Sequence, residues 1–380
     1  MKRIIKNSVL VLLVIFILFA VMLQVFDNNI VYADNNMYTT AKSMVVYEGK
    51  YSKVLYEKNC HDRLAMASTT KIATAIVAIE NCEDLDAKFV VSDNAVGIEG
   101  TSIYLKEGEE ISMRQLLLGL MLASGNDCAV AIAEYFGYDT FMQWLNELPT
   151  TLGLTDTHFD NPHGLDSDTH YTSTYDLAVI TNYALDNDVF REIVSTKRAV
   201  LDATNVSNER YLKHKNKLLF AMENCIGVKT GFTDNAGRCL VNAHEENGMR
   251  IVSVVFNCGP MFEECRALTE KALDEYEVMQ FVQPYTYVSD VNVVNGEKNK
   301  ISLVTINEYS DLILKEDHDR YSVKYDIPQS VEAPVALNSP LGKVYVCYDD
   351  GIVYQDDLYA IDETKNINIK HILDDIIQQW

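Results

Sequence analysis

Positive charge is scarce in this chain. Lysine and arginine number 32 against 55 acidic residues, a formal charge of −23 over 380 residues. Binding to nucleic acid needs a basic face, so that class of partner is excluded. The same deficit weakens any purely electrostatic attraction to anionic lipid. Metal and cofactor signatures are missing as well. No two of the eight cysteines (60, 82, 128, 225, 239, 258, 265 and 347) are spaced C-x-x-C, which argues against a zinc knuckle or a thioredoxin-type pair. There is no H-E-x-x-H, and His158, His163 and His170 are spaced for no common metal site, so they read as loop histidines. Walker A, G-x-G-x-x-G and G-x-S-x-G are absent, as are internal repeats and low-complexity segments. No metal and no cofactor is expected.

What is present begins with an export signal. Lys2, Arg3 and Lys6 precede an almost wholly apolar run from Ser8 to Leu23, and Val31-Tyr32-Ala33 offers a small-residue cleavage site before Asp34. The run is long enough for an uncleaved anchor, but the Ala33 site favours cleavage. Either way the rest of the chain is expected outside the cytoplasm, secreted or held at the outer face of the membrane. An exported chain with an even cysteine count has the option of disulfides. Several of the cysteines sit in apolar runs such as 123–133, which favours small buried hydrophobes.

The length suits two domains, and a hydrophobic content of 48% suits a real core. Residues 38–56 alternate as strands about a turn at Glu48-Gly49-Lys50. A buried helix starts near Ser68. Residues 97–108, broken by glycines, read as strand and loop. Ser112 opens a helix with Met113, Leu116, Leu117, Leu120 and Met121 on one stripe, interrupted at Ser124-Gly125-Asn126 and resumed over 129–136. A helix over 141–148 ends at Pro149. Residues 155–171 form a loop, and Ser173 starts the next helix. Three strands follow over 225–233, 239–245 and 250–257, with a hairpin signal at Asn247-Gly248. The pattern predicts a helix over 262–282. Short apolar runs then mark a small β domain. Ile369, Ile372, Leu373, Ile376, Ile377 and Trp380 recur at helical spacing, a closing helix for a membrane surface or for its own domain.

The stretch "AMASTTKIATAIVAIE", Ala65 to Glu80, carries the chemistry. Ser68 and Lys71 lie three residues apart and project from one helix face. A serine hydroxyl is a weak nucleophile until its proton is taken, and a neutral lysine amine within reach can take it. An N-cap serine beside a surface lysine is the bland alternative. Ser124-Gly125-Asn126, between helical stretches, can point polar side chains into a cleft. Lys229-Thr230-Gly231 lies on a predicted strand, where Gly231 lets a substrate backbone approach. A second ammonium there is expected to depress the pKa of Lys71. The order S-x-x-K, S-x-N, K-T-G is that of serine β-lactamases and penicillin-binding proteins.

Together with the blocks "ASTTKIATA", "TSIYLKEGEEISMRQLLLGLMLASGNDCA", "THFDNPHGLDSDTHYTSTYDLA" and "GVKTGFTDNAGRCLV", this order makes the chain resemble the serine-type D-alanyl-D-alanine carboxypeptidases. These are the low-molecular-mass penicillin-binding proteins that trim peptidoglycan. The resemblance implies an α/β (α+β) β-lactamase/transpeptidase-like domain: an antiparallel sheet flanked by helices, with a helical subdomain, followed by a small all-β domain. The boundaries expected are a signal peptide at 1–33, the catalytic domain at 34–283, the β domain at 284–362 and the closing helix at 363–380. It also implies roles. Ser68 is the acylated nucleophile, Lys71 its base, and Ser124 a proton relay. Asn126 binds the substrate amide. Lys229 and Thr230 bind the terminal carboxylate beside Gly231. The backbone N–H groups of Ser68 and Phe232 form an oxyanion hole. The partners implied are peptidoglycan stem peptides ending in D-Ala-D-Ala and, as mimics, β-lactam antibiotics.

Two departures stand out. Phe232 replaces a histidine that some members carry after K-T-G. The family's N-x-N-x-L-L block reads His214-Lys215-Asn216-Lys217-Leu218-Leu219, with Lys215 where some members place a carboxylate-binding arginine. A lysine cannot reproduce that bidentate fork. A serine β-lactamase shares the trio, but Gly125 stands where class A enzymes carry aspartate, and the extra C-terminal domain also argues against it. A non-catalytic wall-binding scaffold is opposed by the intact set of Ser68, Lys71, Ser124, Asn126 and Lys229.

Overall fold

The computed structural model describes residues 39–367. The export signal at 1–33 and most of the closing helix, 368–380, lie outside the described residues. The chain divides after Asp274 into two compact units.

The first unit is built on a five-stranded antiparallel sheet. Its strands are β1 (Ser43–Glu48), β2 (Lys53–Lys58), β3 (Cys225–Thr233), β4 (Gly237–Glu246) and β5 (Met249–Phe256), in the order β2-β1-β5-β4-β3. The K-T-G strand β3 is therefore an edge strand, with no strand partner on one side. Both faces of the sheet are covered. Val45, Tyr47, Val241, Val252 and Val254 face the main core, while Ser253 on the opposite face meets Thr269 at 3.0 Å on the helix Met261–Glu275. On the core side lie α1 (Lys71–Asn81), α2 (Asn126–Tyr135) and α3 (Thr174–Leu185). Every residue of α1 from Lys71 to Ile79 is buried, so the helix is apolar all round. Burial of each of its isoleucines contributes roughly 1.5–3 kcal/mol.

Three local expectations are corrected. The stretch 97–108 contains no strand. It is a loop tied down by the buried Asp127, which accepts from Ser102 Oγ (2.5 Å) and from the N–H groups of Ile103 (3.1 Å) and Leu105 (3.1 Å). Pro149 does not end its helix, which runs Tyr138–Thr151 with the proline in its last turns. The helix predicted over 262–282 stops at Glu275, and Tyr276–Val282 is a strand paired with Tyr309–Leu314. Tyr, Val and Phe there are strand formers, and pairing outweighs the helical spacing.

The second unit holds that two-stranded ladder and a six-stranded sheet. The sheet order is Tyr321–Asp326, Pro340–Tyr348, Gly351–Ala360, Lys300–Val304, Tyr287–Val294, Ser330–Glu332. Val291, Ile301, Leu303, Val344, Val346 and Leu358 form its core. Residues 363–367, expected in the closing helix, instead extend this unit through bridges of Thr364 to Val335 and Asn366 to Gly296. All eight cysteines are free, seven of them buried. Among the described residues no helix is long and apolar enough to cross a membrane.

Candidate active site

Ser68 lies in a short 3-10 turn, Ala67–Thr70, that leads straight into α1. Ala67, just before it, has φ +48°, a left-handed conformation that is costly outside glycine. Neighbouring groups hold the turn in place. Thr70 Oγ1 donates to Ala67 O at 2.9 Å and Thr69 Oγ1 to Met66 O at 2.6 Å. Gly231 of β3 lies so close that an added Cβ would meet Met66 O at 3.0 Å and Ser68 N at 3.2 Å. Any side chain there would press on the backbone of Ser68.

Lys71 is completely buried. Its Nζ lies 2.9 Å from Ser68 Oγ, 2.7 Å from Asn126 Oδ1 and 2.6 Å from the carbonyl oxygen of His163. Two of these partners only accept, whereas the serine can also donate. A neutral amine therefore gives its two N–H bonds to Asn126 and His163 and turns its lone pair to the Ser68 O–H. Burial pulls this amine down to about 7, and the charge of Lys215 pulls the same way. The expected cause, a second ammonium on K-T-G, is corrected: desolvation leads, and the like charge that lowers Lys71 is that of Lys215. Lys229 is itself pushed well below the ordinary lysine range by burial, then by Lys71 and Lys215. Two buried ammoniums side by side are unfavourable, so each group resists the charging of the other.

Ser124 follows a π-helical stretch, Gly119–Ala123, and adopts the left-handed conformation (φ 70°, ψ 34°). Such breaks recur where a side chain is redirected into a site. Lys229 Nζ donates to Ser124 Oγ at 2.8 Å and to Thr230 O at 2.9 Å. Asn126, at the start of α2, uses its amide nitrogen on Glu99 O (2.6 Å), which fixes Oδ1 toward Lys71. Thr230 is half-buried on the edge strand, and Phe232 is 61% exposed with Arg238 over its ring at 5.9 Å. Lys215 is exposed and reaches Thr101 Oγ1 at 3.3 Å.

The residues of the three motifs thus meet around one cleft, and a family model described as D-alanyl-D-alanine carboxypeptidase matches residues 30–259. The chain belongs to this family. A second model, penicillin-binding protein 5, C-terminal domain, matches residues 276–366. The D-alanyl-D-alanine carboxypeptidase DacF of Bacillus subtilis is 30% identical over 351 residues, covering 90% of each chain. Among solved structures, penicillin binding protein 6B from Escherichia coli matches with TM-score 0.69 and 25% identity, over 87% of this chain and 98% of that one. The Streptomyces K15 DD-transpeptidase matches with TM-score 0.59 and 31% identity, over 62% of this carboxypeptidase-family chain and 97% of its own.

Sequence reasoning missed the part played by the loop before α3. The His163 carbonyl is an acceptor for Lys71, and Gly164 (φ +92°) packs so tightly that a Cβ would lie 2.0 Å from Ala67 O. The glycine was visible, but nothing in the sequence says what it touches. The acid–histidine group of His61, Asp156 and Asp176 has ligand atoms within 4.8 Å, but Asp156 is paired with Arg63 (3.0 Å) and Asp176 accepts from Thr157 Oγ1 (2.8 Å).

Proposed function

We propose that this carboxypeptidase removes the terminal D-alanine from peptidoglycan stem peptides through an acyl-enzyme on Ser68. The observation that carries this is the seat of Lys71: a buried amine, lowered to about 7, that aims its third valence at Ser68 Oγ from 2.9 Å. Neutral Lys71 takes the serine proton as Oγ attacks the carbonyl carbon of the penultimate D-alanine. The oxyanion forms against the N–H groups of Ser68 and Phe232. Ser124, bonded to Lys229, relays the proton that Lys71 took from Ser68 to the departing amine as the C–N bond breaks, which leaves Lys71 neutral again. Water then gives a proton to Lys71 as its oxygen attacks the ester carbon, and Lys71 returns that proton to Ser68 Oγ as the C–Oγ bond breaks.

Lys229 and Thr230 receive the substrate's terminal carboxylate on the open edge of β3. The incoming anion favours the charged form of Lys229, against the push of its burial. Asn126 holds the acyl-side amide. A β-lactam places its own carboxylate and carbonyl in the same seats and acylates Ser68. The enzyme works outside the cytoplasm, exported by its N-terminal segment, where stem peptides are trimmed and cell shape is affected. Its closing segment, 368–380, supplies apolar spacing suited to a membrane surface.

Intact mass after incubation of the full chain with benzylpenicillin tests this, with Ser68→Ala in parallel. A lasting adduct on the wild type alone is expected. No adduct with intact antibiotic would favour a non-catalytic scaffold, and no adduct with hydrolysed antibiotic would mean a β-lactamase.

A further inference from the structure

We propose that His170 is a positioning residue for the oxyanion hole, acting through Thr70 on the peptide that carries the Ser68 N–H. The inference rests on the function proposed above and adds to it a residue outside the three motifs.

His170 is 3% exposed. Its Nδ1 accepts from the Asp160 N–H at 3.0 Å, so in the neutral ring the proton sits on Nε2. Nε2 lies 2.8 Å from Thr70 Oγ1 and donates to it. With one lone pair taken in this way, the Thr70 hydroxyl directs its proton to Ala67 O, 2.9 Å away. The ring plane is held by an edge contact with Phe159 at 5.9 Å. Every donor in this relay has a single direction.

The end of the relay is what gives it a function. The Ala67 carbonyl and the Ser68 N–H are opposite ends of one planar peptide unit, so fixing the C=O aims the N–H. That unit has reason to swing, because Ala67 sits at φ +48°. A hydrogen bond on the carbonyl also polarises the N–H and strengthens it as a donor. The charge it must stabilise develops only in the transition state, so its loss should lower kcat rather than raise KM.

The test is steady-state hydrolysis of a soluble peptide ending in D-Ala-D-Ala by His170→Phe, His170→Gln, Thr70→Val and the double variant His170→Phe/Thr70→Val, with melting curves. Loss of one oxyanion donor costs about 10²–10³ in kcat, and a mis-aimed one should cost about tenfold to a hundredfold. We expect that loss, at nearly constant KM, in His170→Phe and in Thr70→Val. The double variant should be no worse than the poorer single one. His170→Gln, whose amide can donate in place of Nε2, should recover most of the rate. Wild-type kcat in folded His170→Phe or Thr70→Val, multiplicative losses in the double variant, or a glutamine no better than phenylalanine would each overturn the proposal. An inactive, unacylated wild type would instead overturn the function itself.

Discussion

The cleft has two sides, and each carries a Ser–Lys pair whose lysine is buried. On the helical side Lys71 faces Ser68 at 2.9 Å, and on the strand side Lys229 faces Ser124 at 2.8 Å. The pairs look alike in type and distance but differ in what else the lysine holds. Lys71 has two carbonyl acceptors besides its serine, which leaves a neutral amine no free proton and one lone pair. Lys229 has one carbonyl besides its serine, which leaves a protonated amine one N–H to spare. The first arrangement suits a base and the second an anion receptor. The difference lies in the neighbours, because the side chain is the same.

Replacing each lysine in turn breaks this comparison most directly. Lys71→Ala should lower the rate of acylation by benzylpenicillin by about 10²–10⁴, the range of a lost general base. Lys229→Ala should raise KM for a D-Ala-D-Ala peptide and cost less in the acylation step. Stopped-flow acylation and steady-state kinetics separate the two. Equal losses at unchanged KM would mean that the two sides share one role.

A smaller effect is expected where the sides touch. Gly231→Ala places a Cβ 3.0 Å from Met66 O and 3.1 Å from Ala67 Cβ. Overpacking of this kind costs about 1–3 kcal/mol, and here it falls on the turn that holds Ser68. Acylation should slow by roughly tenfold or more, a factor of ten being about 1.4 kcal/mol, with a measurable fall in melting temperature. A variant with normal acylation would show that the strand and the turn move independently.

Short motifs made the two sides legible in the sequence because their chemistry is carried by residue type. Ser68, Lys71, Ser124, Asn126 and Lys229 are polar groups in apolar or glycine-rich surroundings, and such placements stand out. What remained hidden depends on backbone atoms or on contacts distant in sequence. The His163 carbonyl could belong to any residue, and the closeness of Gly164 to Ala67 appears only once the loop folds back on the turn. Much of the fold was legible for the same reason that its errors were local. Alternating strands and capped helices follow from period, but the switch at Tyr276 is decided by a partner strand, Tyr309–Leu314, more than thirty residues away.

The pH profile sharpens the comparison further. With the Lys71 amine lowered to about 7, its neutral, proton-accepting form dominates above that value. Acylation should therefore rise about tenfold per pH unit below pH 7 and level off above it. An ordinary lysine, near 10.4, would keep rising through pH 9. A profile flat from pH 5 upward would remove Lys71 from the role of base.

The smallest effect expected comes from Lys215. Its charge helps to lower both Lys71 and Lys229, so Lys215→Ala should raise the Lys71 pKa and move the limb of the profile to higher pH. The sign is fixed, because removing a like charge makes the ammonium easier to keep. The size should be a fraction of a pH unit, roughly a few-fold in rate at neutral pH, because burial is the leading cause and stays in place. Lys215 is also exposed, so salt screens its influence over about 10 Å at 0.1 M. The shift between wild type and variant should accordingly shrink as salt is added. If it persisted unchanged at 1 M salt, Lys215 would be acting by holding Thr101 rather than through its charge.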